Sequence, residues 1–116
     1  MKDRSFRYPR RTFVAVLAAL LITGCGGRSL EDHLRKGNRY FEQGKYEEAI
    51  IEYMHVAREN RENAQAIAGL GIAHYELGRA REAALLLNMA HELNPADPDV
   101  TLRLASAGFS AFVAGG

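Results

Sequence analysis

Two glycines 34 residues apart, Gly37 and Gly71, carry their surroundings with them: Gly44 is followed by Gly78 and Ala49 by Ala83 at the same interval, and Asn38-Arg39-Tyr40 lies against Ile72-Ala73-His74. A self-similarity of this period belongs to helix-turn-helix units stacked side by side, each too small to bury its apolar face alone. It predicts an all-α chain, an α-solenoid of stacked antiparallel helix hairpins, and a binding scaffold rather than a catalyst.

The helices read directly from the residues. Ser29-Leu30-Glu31-Asp32 is a serine N-cap with an acid three residues on. Leu34, Gly37, Tyr40 and Phe41 then recur at helical spacing, and Gly44 ends the run as a left-handed residue. Tyr46, Ala49, Ile50, Tyr53, Met54, Val56 and Ala57 form the second helix of the hairpin. The pattern returns with Ile67, Leu70, Gly71 and His74, the break at Gly78, and Ala83, Ala84, Leu86, Leu87, Ala90 and Leu93. Asn94-Pro95 stops that helix, and Asp97-Pro98-Asp99 opens a fifth with an N-cap and a proline in the first turn.

These residues resemble the tetratricopeptide repeat (TPR). The second unit supplies the motif's Leu70-Gly71, Ala83, Ala90 and Pro95, with His74 in place of tyrosine and Leu87 in place of the aromatic. In the first unit Gly37, Tyr40, Ala49 and Tyr53 match, while His33, Lys36, Val56 and Arg61 depart. The resemblance implies two units, residues 30–63 and 64–97, followed at 98–116 by a terminal helix or an incomplete third unit. Gly37, Tyr40, Ala49, Gly71, Ala83, Ala90 and Pro95 become the repeat-packing residues, the small ones letting paired helices approach to about 8–10 Å.

In repeats of this kind the first helix of each hairpin lines a concave groove. Carried onto this chain, the resemblance implies a partner groove floored by Leu34, Asn38, Phe41, Ile72, Tyr75, Leu102 and Phe109, suited to an extended peptide or an amphipathic helix. Some relatives hold a C-terminal carboxylate in a clamp of basic and asparagine side chains. Asn38 and Arg103 stand at clamp positions, but Leu34, Ala68 with Gly69, and Asp99 do not, which argues against a clamp here. The terminal segment is unusual, because residues 101–116 carry a single charge, Arg103, where a capping helix normally turns a polar face to solvent. Continuation into a longer array, or burial of this helix by a partner or a second copy, is the expectation.

The start of the chain carries a different message. Side chains before Thr12 sum to +4, and Phe13 to Ile22 (FVAVLAALLI) is a short apolar run ending at Thr23-Gly24-Cys25. This is the order of a secretory signal, and the run falls short of the about 20 apolar residues that span a bilayer. Ile22-Thr23-Gly24-Cys25 resembles the lipobox of bacterial lipoproteins. The resemblance implies an apolar signal helix in residues 1–24, lipidation of Cys25, a short tether at 25–29, and a membrane-bound protein, facing the periplasm from the outer membrane by default. Arg10-Arg11 resembles the twin-arginine motif, but Pro9 and Ala15 depart from it, so the general secretory route is the expectation.

With the signal set aside, residues 25–116 hold ten basic and thirteen acidic side chains, a net charge of −3. That balance, with no basic stripe on any one predicted face, is a poor footprint for nucleic acid. A lone cysteine excludes an internal disulfide framework. Gly69-Leu70-Gly71 lacks the third glycine and preceding strand of a nucleotide loop. His33, His55, His74 and His91 include no pair at metal-ligand spacing, and His33 and His74 read as partly buried structural histidines. No catalytic residue, metal or cofactor is assigned. The expected function is a lipid-anchored scaffold that docks another envelope protein, in assembly of a pilus, a secretion channel or an exopolysaccharide exporter; the alternative is an adaptor that recruits a periplasmic hydrolase.

Overall fold

The computed structural model describes residues 29–115. The signal segment and Cys25 lie outside the described residues. Five helices follow in order: α1 (Leu30–Glu42), α2 (Tyr46–Glu59), α3 (Ala64–Glu76), α4 (Ala80–Leu93) and α5 (Pro98–Gly115). The first two hairpins coincide residue for residue at the 34-residue offset, since each end of α3 and α4 falls 34 positions beyond that of α1 and α2.

The punctuation repeats as strictly as the helices. Ser29, Asn63 and Asp97 stand at intervals of 34, and each accepts a backbone N–H of the helix it precedes: from Asp32, from Ala66, and from both Asp99 and Val100. These side-chain oxygens satisfy donors that a helix start leaves open. At Ser29 the Asp32 carboxylate returns the bond, completing a capping box. The turn inside each hairpin is made by Gly44 and Gly78, with φ of 73° and 75°, a conformation that costs glycine little and a side-chain-bearing residue more. The corresponding position in α5 is Phe112, and there the helix does not stop: it runs on to Gly115.

The helices pack serially, α1 on α2, α2 on α3, α3 on α4 and α4 on α5, while α1, α3 and α5 also meet along one side. The core follows the small and large apolar residues of α2, α3 and α4, with Ala49, Tyr53, Val56, Ile67, Ala73, Ala83, Leu87 and Ala90 buried, and is closed by Val100 and Ala107 of α5. Met54 and Leu93, placed on apolar faces by their spacing, are instead exposed. Pro95 is exposed in the turn between α4 and α5, so it shapes the chain path without packing against a neighbouring helix. Among the described residues no helix is long and apolar enough to cross a membrane.

Candidate functional site

The glycines explain how the helices come close enough to make a groove. A Cβ on Gly37 would lie 2.8 Å from the Tyr53 ring, and one on Gly69 2.6 Å from its other edge. Tyr53 of α2 is thus a wedge between the backbones of α1 and α3. One unit later Leu87 does the same against Gly71, where a Cβ would meet its side chain at 2.8 Å and its backbone nitrogen at 3.1 Å. The importance of Gly69 was not legible from the repeat, because its counterpart in the first unit is Arg35.

The Tyr53 hydroxyl donates to Asn38 Oδ1 at 2.7 Å. Burial pushes the phenol up to about 12, so it stays a donor through the physiological range. With its oxygen engaged, Asn38 offers the amide NH2 to any ligand beside it. That ligand space is a cleft of about 440 Å³ running from α1 across α3 to the start of α5. Phe41, Ala68 and Ile72 give it an apolar floor, and Asn38, Gln65 and Asn94 supply neutral polar groups. Asp97 is the one charged residue among its lining residues, and its carboxylate caps α5.

Of the seven groove residues expected, the cleft holds Asn38, Phe41 and Ile72. Leu34 is half-buried against the core instead. Tyr75 lines a separate cavity of about 300 Å³ with Gly78, Ala80, Ala107 and Ser110. Arg103 lines neither: its guanidinium lies 5.7 Å from the Tyr75 ring centroid and donates to Glu76 Oε1 at 2.9 Å. Leu102 and Phe109 line neither space and are 69% and 70% exposed. Among the described residues Arg103 Nε is buried without a hydrogen-bond partner, and no Lys, Arg or His lines the cleft.

The departures of the first unit form a cluster of their own. His33 Nδ1 lies 2.7 Å from Glu52 Oε2 and Lys36 Nζ 3.2 Å from Oε1, while His33 stacks on His55 with centroids 4.8 Å apart. Burial pushes the Glu52 carboxyl up, but the hydrogen bonds and charges of His33 and Lys36 outweigh it and hold the group below its ordinary range. In the second unit Ile67, Leu70 and Leu86 occupy the equivalent positions. His74 is different: burial first, then the Arg79 charge, holds its imidazole below the usual value, and its Nδ1 is buried without a hydrogen-bond partner among the described residues. Arg35, Lys36 and Arg39 do share one edge of α1, which the sequence did not reveal, but Arg35 is paired with Asp32 and Lys36 with Glu52. Among the described residues no group of three His, Cys, Asp or Glu side chains converges as metal ligands would.

Residues 37–78 match a family model described as TPR repeat. No curated protein matches the sequence. Among solved structures, the first TPR of Spaghetti (RPAP3), bound to the HSP90 peptide SRMEEVD, superimposes with a TM-score of 0.69 at 20% identity, over 74% of this chain and 68% of that one. At that identity the likeness is one of fold. The described chain is an all-α TPR-type solenoid, two 34-residue helix hairpins followed by a fifth helix.

Proposed function

We propose that this chain is a lipid-anchored scaffold of the bacterial envelope that holds a peptide segment of a partner protein in the cleft between α1, α3 and α5. The observation that carries the reading is the cleft itself, an apolar floor beneath three side-chain amides, one of them oriented by Tyr53. Amides facing an apolar floor suit an extended backbone, whose N–H and C=O groups need partners while its side chains seek burial. The Spaghetti TPR is bound to the peptide SRMEEVD, which carries three acidic side chains. Among the described residues this cleft has no cation to meet acidic groups, so its partner segment is neutral and apolar, and is read internally rather than by its C-terminus. Lipidation of Cys25 places the scaffold on the periplasmic side of the membrane, where assembly of a pilus, secretion channel or exopolysaccharide exporter requires such docking.

Selection of random peptides on the full chain tests the groove: apolar, uncharged sequences should be enriched. Ala68→Glu, which puts a carboxylate on the floor, should weaken them by about tenfold or more, equivalent to about 1.4 kcal/mol. Undiminished binding to that variant would move the site elsewhere. The anchor is tested separately, because Cys25→Ala should release the protein from membranes into the soluble fraction.

A further inference from the structure

We propose that the cavity between the α3–α4 turn and α5 is a pocket for an aromatic side chain, a phenyl or phenol ring carried by the polypeptide that occupies the cleft.

Comparing the two units shows what this cavity would take. Tyr75, Gly78, Ala80, Ala107 and Ser110 line a space of about 300 Å³. At the same places 34 positions earlier stand Phe41, Gly44, Tyr46, Ala73 and Glu76. There the Tyr46 ring meets Phe41 edge to face, with centroids 5.2 Å apart, and both pack against the core. In the second unit the first ring is kept as Tyr75, while the second is cut back to the methyl of Ala80. The backbone at the two places is alike, since Gly44 and Gly78 turn at φ of 73° and 75° and the following helices open at Tyr46 and Ala80. The first unit thus displays the occupant that such a space accepts, a ring set edge to face on its neighbour.

The lining also says what would not bind. None of the five residues is charged, and Arg103, near the Tyr75 ring, is paired with Glu76. The ionic groups of a free aromatic metabolite would find no partner there, whereas a side chain brings none. The carrier follows from continuity with the cleft. Ile72 lines the cleft and Tyr75 the cavity, three residues apart on α3; Val100 and Ala107, seven apart on α5, are divided in the same way. At 1.5 Å per residue the two spaces follow one another along these helices at about 5–10 Å, roughly two or three residues of extended chain. This step rests on the cleft being a peptide site, and it places the ring two or three residues from the segment held there.

Alanine methyls report on both spaces at once, Ala80 and Ala107 in the cavity and Ala64, Ala68 and Ala90 in the cleft. In methyl magnetic resonance spectra of the full chain, millimolar N-acetyl-tyrosinamide should shift Ala80 and Ala107, and N-acetyl-leucinamide should shift them severalfold less. Ala80→Tyr, which supplies the ring from within as Tyr46 does, should reduce the Ala107 response about tenfold or more while circular dichroism shows the helices intact. Apolar peptides selected on the chain should shift the cleft methyls, and those that carry Phe or Tyr should shift Ala107 as well. No response of Ala80 and Ala107 to the capped tyrosine, an equal response to the capped leucine, or a full response in Ala80→Tyr would each overturn the pocket. So would p-cresol binding where the capped tyrosine does not, or ring-bearing peptides that move the cleft methyls and leave Ala107 still. Cavity methyls that answer the capped tyrosine while no peptide moves the cleft methyls would break the cleft reading and leave the aromatic pocket standing.

Discussion

The two complete repeats share one backbone and differ in what fills it. Where the second packs Ile67, Leu70 and Leu86, the first sets His33, Lys36 and Glu52 as an ion cluster. The difference follows position in the array. Helix α3 lies between α2 and α4, so its apolar residues are enclosed from both sides, whereas among the described residues α1 has α2 as its one full helix neighbour. Lys36 keeps 40% of its side chain exposed while reaching Glu52. A charge cluster is tolerable there because hydration still offsets part of the desolvation cost. The same 34-residue template thus holds a charged cluster in one unit and an apolar one in the next.

The largest effect expected from this contrast concerns the glycines. Gly71→Leu and Gly37→Leu should each cost about 1–3 kcal/mol in urea unfolding, the range for overpacking, with Gly71→Leu at the upper end. A Cβ at Gly71 meets the Leu87 backbone nitrogen as well as its side chain, while the three nearest atoms at Gly37 all belong to the Tyr53 ring, which Gly69 backs from its other edge. A larger cost at Gly37 would reverse the order of the two contacts. Next is the ion cluster. Glu52→Ala should destabilise by about 1–2 kcal/mol by leaving His33 and Lys36 without their carboxylate, whereas converting all three to the second unit's residues, His33→Ile with Lys36→Leu and Glu52→Leu, should be neutral or stabilising by about 1 kcal/mol.

The smallest effect separates the units by pH. Glu52 is held below its ordinary value in the folded chain, so its stabilisation is present above about pH 4.5, the unfolded value, and is lost as pH falls through the lower folded one. His74 is a base held below 6.5, so the unfolded chain binds its proton first and stability declines as pH falls from that value downward. Thermal melts of Glu52→Gln should lose only the acidic slope, and those of His74→Gln only the slope beginning near neutrality. If either substitution removed both, the two repeats would not titrate independently.

Much of this arrangement was legible because it is periodic. Gly44 and Gly78 announced the turns, Ser29 and Asp97 the helix starts, and Gly37 and Gly71 the close approaches. What escaped depends on contacts between positions that do not repeat. Gly69 has no glycine counterpart, so its contact with Tyr53 left no periodic trace. His33 and Lys36 looked like independent departures until α2 brought Glu52 between them. Leu102 and Phe109 were assigned to the groove by register alone, but the path of α5 carries them away from the cleft, and Tyr75 lines the separate cavity beside Gly78 and Ala107. Phe112 stood in the sequence in place of a turn glycine, and its consequence, a helix that fails to stop, appears only in three dimensions.

Tyr53 has one more implication. Its ring is bounded at both edges by the backbones of α1 and α3, and its hydroxyl is tied to Asn38 beside the cleft. A ring held in this way can reverse its two edges only when those helices part, so its flip rate in magnetic resonance counts the openings of the groove, and a bound occupant would register as a ring that has stopped turning.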